Sequence, residues 1–261
     1  MRTSSKTLLL LSLASGLTAC KGDSDTDKSA VESTTADGSL ASASASTDAA
    51  DSRGVSLVRM INALPSAKDA SVSADDRAMF SGIGFKTVTP YSELKDNIAK
   101  FRLQAGDRDT TIASNNEIMM DGSRYSLVAL PEGNGSVRLR VLKDELATDS
   151  TKARLRVIHG VSGVGEIDIV IAGMQDPFFD NVNLTSEAGY KNIDPVKTTV
   201  TVNVDGNGKQ LLKREMEFKA GHSYSVVLTG AAGQRVEAIV IDDEALSNAR
   251  ILRMDSLKKA P

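Results

Sequence analysis

The chain reads as all-β: two tandem Ig-like antiparallel β-sandwiches, held after a leader and a polar tether. Three observations predict this. Gly122 to Glu145, GSRYSLVALPEGNGSVRLRVLKDE, returns without a gap ninety-nine residues later as Gly221 to Glu244, GHSYSVVLTGAAGQRVEAIVIDDE. From Val55 onward the sequence is short alternating runs punctuated by turn residues, the pattern of half-buried strands. No long 3.6-residue periodicity interrupts them, so a sandwich is the economical way to bury their apolar faces.

Taken in order, Met1 to Cys20 carries Arg2 and Lys6, the apolar run Leu8 to Leu13, and then small residues. That is the three-part plan of an export signal, and its apolar centre is too short to span a bilayer as a permanent helix. We assign 1–19 to this leader. Leu17-Thr18-Ala19-Cys20 resembles a bacterial lipobox, which implies cleavage before Cys20 and a membrane partnership through acyl chains on its thiol. Two or more chains hold firmly where one is marginal. Cys20 is the only cysteine, so no internal disulfide competes for it. Lys21 in place of an acid after the acylated position resembles the pattern passed to an outer membrane.

Residues 20–54 form the tether. From Lys21 to Gly54 Ser, Ala, Thr and Asp dominate, with seven acids, three bases and no aromatic residue. Such a composition cannot repay the entropy of ordering. A flexible coil of that length has a root-mean-square reach of roughly 30 Å.

The first sandwich is placed at 55–150 and the second at 151–261. Val58-Arg59-Met60-Ile61 opens one and Leu155-Arg156-Val157-Ile158 the other, and the arginines between apolar neighbours suit half-buried strands. Tyr91 and Tyr190 follow at matching positions. Asp205-Gly206-Asn207-Gly208 marks a tight hairpin, because Gly and Asn tolerate positive φ. Asp144-Glu145 and Asp242-Asp243-Glu244 end the last strands, where we expect a solvated cluster that stops pairing. The run Ala249 to Met254, ARILRM, is similar to Ala153 to Ile158, ARLRVI; it suits a last strand covering an edge of the second sandwich, or a short helix from Asp242 to Met254.

These pieces resemble the tandem Ig-like modules of exported lipoproteins in the family catalogued as domain of unknown function 4397. The resemblance rests on Val58 to Asp76, Leu155 to Gly173, Asp121 to Leu130 and Ala220 to Gly230. It departs from the family at Ala70 to Asp76, where small and polar residues weaken a strand. It implies a fold and a cell-envelope setting and brings no catalytic residue.

Candidate sites are few. Tyr125 and Tyr224, three residues after a Gly, match the tyrosine corner of Greek-key sandwiches, whose hydroxyl bonds upstream backbone. Phe178 and Phe179 beside Pro177 crowd a predicted loop, which makes them the candidate partner-binding surface. His159 and His222 stand outside any zinc spacing, and no GxSxG elbow is present, so no metal, cofactor or catalytic residue is assigned. Asp176, Asp180, Asn181 and Asn183 in one loop and Asp205 with Asn207 in another could hold calcium but suit ordinary turns. A net charge of -3 without a basic stretch, and without Trp, argues against nucleic acid. The expected function is therefore a non-catalytic binding, adhesion or spacer role toward an envelope protein or glycan. The alternatives are a glycan hydrolase using Asp176 and Asp180, or an assembly or chaperone lipoprotein.

Overall fold

The computed structural model describes residues 54–106 and 110–243. Among them sixteen strands fall into two sets of eight with the same connectivity. The first set is β1 (Ser56–Asn62), β2 (Ala70–Ala74), β3 (Arg77–Ile83), β4 (Ser92–Leu94), β5 (Ile98–Ala105), β6 (Thr111–Ile118), β7 (Arg124–Pro131) and β8 (Val137–Asp144). The second is β9 (Ala153–Ser162), β10 (Ile167–Ile171), β11 (Phe179–Val182), β12 (Glu187–Ile193), β13 (Val196–Val204), β14 (Gln210–Phe218), β15 (Ser223–Ala231) and β16 (Glu237–Asp242).

In the first half one sheet has the order β4-β1-β7-β8 and its companion β3-β2-β5-β6; the second half repeats both as β12-β9-β15-β16 and β11-β10-β13-β14. The duplication in the sequence is thus a duplication of topology. Each half encloses an apolar core between its two sheets. Phe101, Leu103, Leu127 and Met60 centre the first, and Phe218, Ile169, Val202 and Leu228 the second. The weakly apolar segment Ala70–Ala74 is a strand after all, with Ala70, Val72 and Ala74 all turned into the core.

Two expectations need correction. The sandwiches are not wholly antiparallel: β1 runs parallel to β7, and β9 parallel to β15. Nor are the opening strands half-buried. β1, β7, β9 and β15 are buried along almost their whole length on both faces. The reason is a third core, in which Ile61, Val128, Leu130 and Leu142 of the first half meet Ile158, Val227, Ile239 and Ile241 of the second. The two sandwiches lie back to back through these central sheets. Strands buried on both faces read as continuous apolar runs, which explains LVRMIN and RYSLVALP.

The outer sheets retain the alternation expected of one wet face. β5 alternates between exposed and buried, and β6 has no fully buried residue. The Asp205 to Gly208 turn joins β13 to β14 as the sequence indicates, with φ of 74° at Gly206 and 65° at Gly208.

Candidate functional site

The centre of the third core is polar. Arg59 of β1 and Arg156 of β9 occupy matching positions in the duplicated halves, and both are essentially without solvent contact. Each donates its Nε to a serine of its own half, Arg59 to Ser126 Oγ and Arg156 to Ser225 Oγ, both at 2.7 Å. Each serine in turn donates at 2.8 Å to the aspartate that closes the same half, Ser126 to Asp144 and Ser225 to Asp243. The terminal nitrogens cross over. Arg59 Nη2 meets Asp243 Oδ1 at 2.5 Å, and Arg156 Nη2 meets Asp144 Oδ1. Tyr91 donates to Asp144 at 2.6 Å and Tyr190 to Asp243 at 3.0 Å, each ring lying under the arginine of its own half.

The arrangement has the reciprocity of a two-fold contact, residue i to j and the equivalent of j to the equivalent of i. Two guanidiniums and two carboxylates balance in charge, as removal from water demands. Burial works against the Arg59 charge, but Asp144 and Asp243 together hold its pKa above the ordinary value. Burial also raises Asp144, yet Arg59 and Arg156 outweigh it and hold this carboxyl below the usual range. For Asp243, burial and the neighbouring Asp144 charge outweigh the arginines and hold this carboxyl above the usual range. Burial keeps both tyrosines protonated. The solvated charge cluster expected at Asp144 and Asp243 is therefore the opposite of what stands there. Among the described residues of these two runs, Glu145 and Asp242 keep appreciable exposure; Glu244 lies outside the described residues.

Nothing in this cluster is open to a substrate, and its chemistry is that of a lock between halves. Its signal in the sequence is the survival of all four residue types in both copies, which the alternating pattern alone does not distinguish from surface charge.

Tyr125 and Tyr224 each point into the core of their own half. Tyr125 Oη accepts a hydrogen bond from the Met120 amide at 3.0 Å, and Tyr224 Oη from the Lys219 amide at 3.1 Å, five residues upstream in both cases. Phe179 is 2% exposed and belongs to the second core, so its ring is closed to any partner. Phe178 packs on it edge to face at 4.9 Å. Large exposed apolar side chains among the described residues include the cross-strand pair Ile98 and Ile118, Met120, and Met174 in the same connection as Phe178.

His159 is buried. Its Nδ1 accepts from the Val161 amide at 3.2 Å and its Nε2 bonds Gly165 O at 2.8 Å, which specifies the neutral ring with the proton on Nε2. Burial lowers its pKa. Asn62, its counterpart, does the same work: Oδ1 accepts from the Leu64 amide, and Nδ2 donates to Ala67 O and Ile83 O. His222 pairs with Asp242 at 3.0 Å. Neither histidine touches the acidic loops.

Asp180 gathers with Asp168 and Asp205, their carboxylate oxygens within 4.8 Å of one another. Desolvation and then the neighbouring acids push the Asp180 carboxyl up. Asp176 is not part of this group. Among the described residues no catalytic motif is present. Cys20, the tether and Ala249 to Met254 lie outside the described residues.

No curated protein matches the chain. Among solved structures, similarity extends to the C-terminal domain of AlgF from P. aeruginosa, at 23% identity over 35% of this chain and 98% of that one, TM-score 0.28. It extends also to a family 26 carbohydrate-binding module of Eubacterium rectale Amy13K in complex with maltoheptaose, at 14% identity over 72% and 96%, TM-score 0.24. The fimbrial anchor protein Mfa2 from Porphyromonas gingivalis matches at 7% identity over 72% and 97%, TM-score 0.22. At such TM-scores none of them bears on what this chain does. The family described as Domain of unknown function (DUF4397) matches residues 56–170 and 153–251, the first match running through β1 to β8 and on into β10. On two matches that together take in both eight-stranded halves, the chain belongs to the DUF4397 family.

Proposed function

We propose that the protein is a lipid-anchored envelope protein that binds or spaces without catalysis, held by acyl chains on Cys20 and displayed on its tether. The observation that carries this reading is Leu17-Thr18-Ala19-Cys20, placing the only cysteine at the end of a basic, apolar and then small-residue leader. What supports the non-catalytic part is the sealed character of the charged centre, whose four ionised groups neutralise one another. The partner is an envelope protein or glycan, and the outer membrane is the expected site because Lys21 follows the anchor. Each half is Ig-like in the sense of two facing four-stranded sheets with a tyrosine bonded to upstream backbone. Tyr125 and Tyr224 are structural residues on that account.

The anchor is tested by growing cells that express the chain, or its Cys20→Ala variant, with radiolabelled palmitate and separating membranes. Label and membrane recovery are expected for the wild type, and neither label nor processing for the variant. An unlabelled wild-type chain, or a variant that stays in the membrane fraction like wild type, removes the anchor from the account.

A further inference from the structure

Apolar side chains that stand in water gather at one end of the molecule. Six large ones are exposed among the described residues, and five of these, Ile98, Ile118, Met120, Met174 and Val196, share that end. The strand registers place them there. In the first half Ile98 opens β5 and pairs with Ile118, which closes β6, and Met120 follows, its amide donating to Tyr125 Oη. In the second half Val196 opens β13, and the Ala172 amide, just past the end of β10, donates to Thr199 O, which brings Met174 to the same margin. β5 starts just after β4, whose Leu94 pairs with Ser56 at the start of β1; β13 starts just after β12, whose Ile193 pairs with Ala153 at the start of β9. The crossed ion pairs join the halves toward the starts of β1 and β9, and Thr229 bonds Ala63 O toward their far ends, so both halves present these starts on one side. The sixth side chain, Ile112, stands at the opposite end of β6.

We propose that this end of the folded body faces a lipid surface, its aliphatic side chains entering the boundary between headgroups and acyl chains. The inference rests on the proposed acylation of Cys20 and adds a second contact, made by the sandwiches themselves. Lipid is favoured over a second copy by the place where the described chain begins. Val55 O accepts from the Gly122 amide at 2.9 Å, and Gly54 lies against the Asp121 side chain, next in sequence to Met120. The side from which the anchor leads and the apolar end are therefore the same.

Single exposed aliphatic side chains are ordinary on a protein surface, whereas a gathering of them at one end marks a contact. Ile98 and Ile118 are 69% and 68% exposed and stand opposite each other across β5 and β6. At a bilayer surface such groups leave water as the apolar face of an interfacial helix does. A few of them hold a free protein only marginally. A tether with the reach that the composition of 21–54 implies, roughly 30 Å, keeps this end close enough for a weak contact to be populated. The far end is polar and acidic: Asp168 near the start of β10, Asp205 in the β13–β14 turn and Asp180 gather there. Anionic lipid repels such a group, so charge and apolar surface orient the molecule in the same sense. Docked on its apolar end, the protein turns the Asp205 to Gly208 turn away from the membrane.

The chain has no Trp, so a single introduced one reports its own surroundings. Full-length acylated Ile118→Trp and Ile112→Trp are reconstituted into phosphatidylcholine vesicles of plain or chain-brominated lipid, and flotation is read beside fluorescence. Both are expected to float. Ile118→Trp should emit to the blue of Ile112→Trp and lose about half or more of its intensity to brominated lipid, while Ile112→Trp loses little. Adding Ile98→Asp and Met120→Asp, both at exposed positions, should reverse most of that quenching with flotation intact. Floating chains without quenching at position 118, or with quenching that the two aspartates leave unchanged, overturn the lipid contact and leave the anchor standing. A blue-shifted but unquenched Ile118→Trp overturns it in favour of a second copy, and equal quenching at positions 118 and 112 in favour of unspecific adsorption. Chains that do not float remove the anchor, and the lipid contact with it.

Discussion

Arg59 and Asp243 show how context reverses the meaning of a charged residue. On the surface such a pair contributes about 0 to 1 kcal/mol. Sealed between two sheets, each becomes intolerable without the other. Arg59→Ala or Asp243→Ala should each cost about 3 to 5 kcal/mol, because the remaining partner is left buried and uncompensated. Arg59→Met combined with Asp243→Leu leaves the neutral Arg156 and Asp144 pair, so denaturant unfolding should show a loss well below the sum of the single losses. Additive losses would mean that the crossed pairing does not exist.

His159 allows a second prediction at this scale. Burial lowers its folded pKa, so below about 6.5 the unfolded chain takes up a proton that the folded chain refuses. Stability contributed by this site is complete above that pH and is lost as pH falls through the window. His159→Asn copies the residue already present at position 62, accepting from the i+2 amide and donating toward a carbonyl. It should keep most of the stability at pH 8 and flatten the decline between pH 7 and 5 in urea titrations. A decline as steep as that of wild type would remove His159 as its source.

At the scale of the strand, β9 carries a glycine whose role is space. A Cβ at Gly160 would lie 2.7 Å from Leu130 Cδ2 of the other half and 2.7 Å from Leu228 O. The reciprocal position is the bond from Thr229 Oγ1 to Ala63 O at 2.6 Å, so the same close approach occurs on both sides of the interface. Backbone cannot yield as a side chain does. Gly160→Ala should therefore cost about 1 to 3 kcal/mol as overpacking, with the melting temperature as readout. An unchanged melting temperature would contradict the close packing of β9 on β7.

Strand existence was largely legible in the sequence, because turn residues and alternation are local. Partnering was not. LVRMIN and LRVIHG look half-buried when their arginines are counted as polar, and nothing local says that Arg59 finds an acid 184 residues away. At Phe178 and Phe179 a Pro and two acids make the segment read as loop, while Phe179 begins a short edge strand and its ring enters the core.

For the whole molecule, duplication supplied the means of closure as well as the count of sandwiches. The third core and the crossed arginines satisfy each half with the other, and the described residues from 54 onward fall in one compact unit. A third copy could not be added in the same way, since Asp144 and Asp243 already hold their partners. The central claim is that the halves fold as one body. Calorimetric unfolding of the intact protein at pH 7 tests it most directly. A single transition is expected, with calorimetric and van't Hoff enthalpies in agreement. Two resolved transitions, each carrying about half the heat, would contradict it.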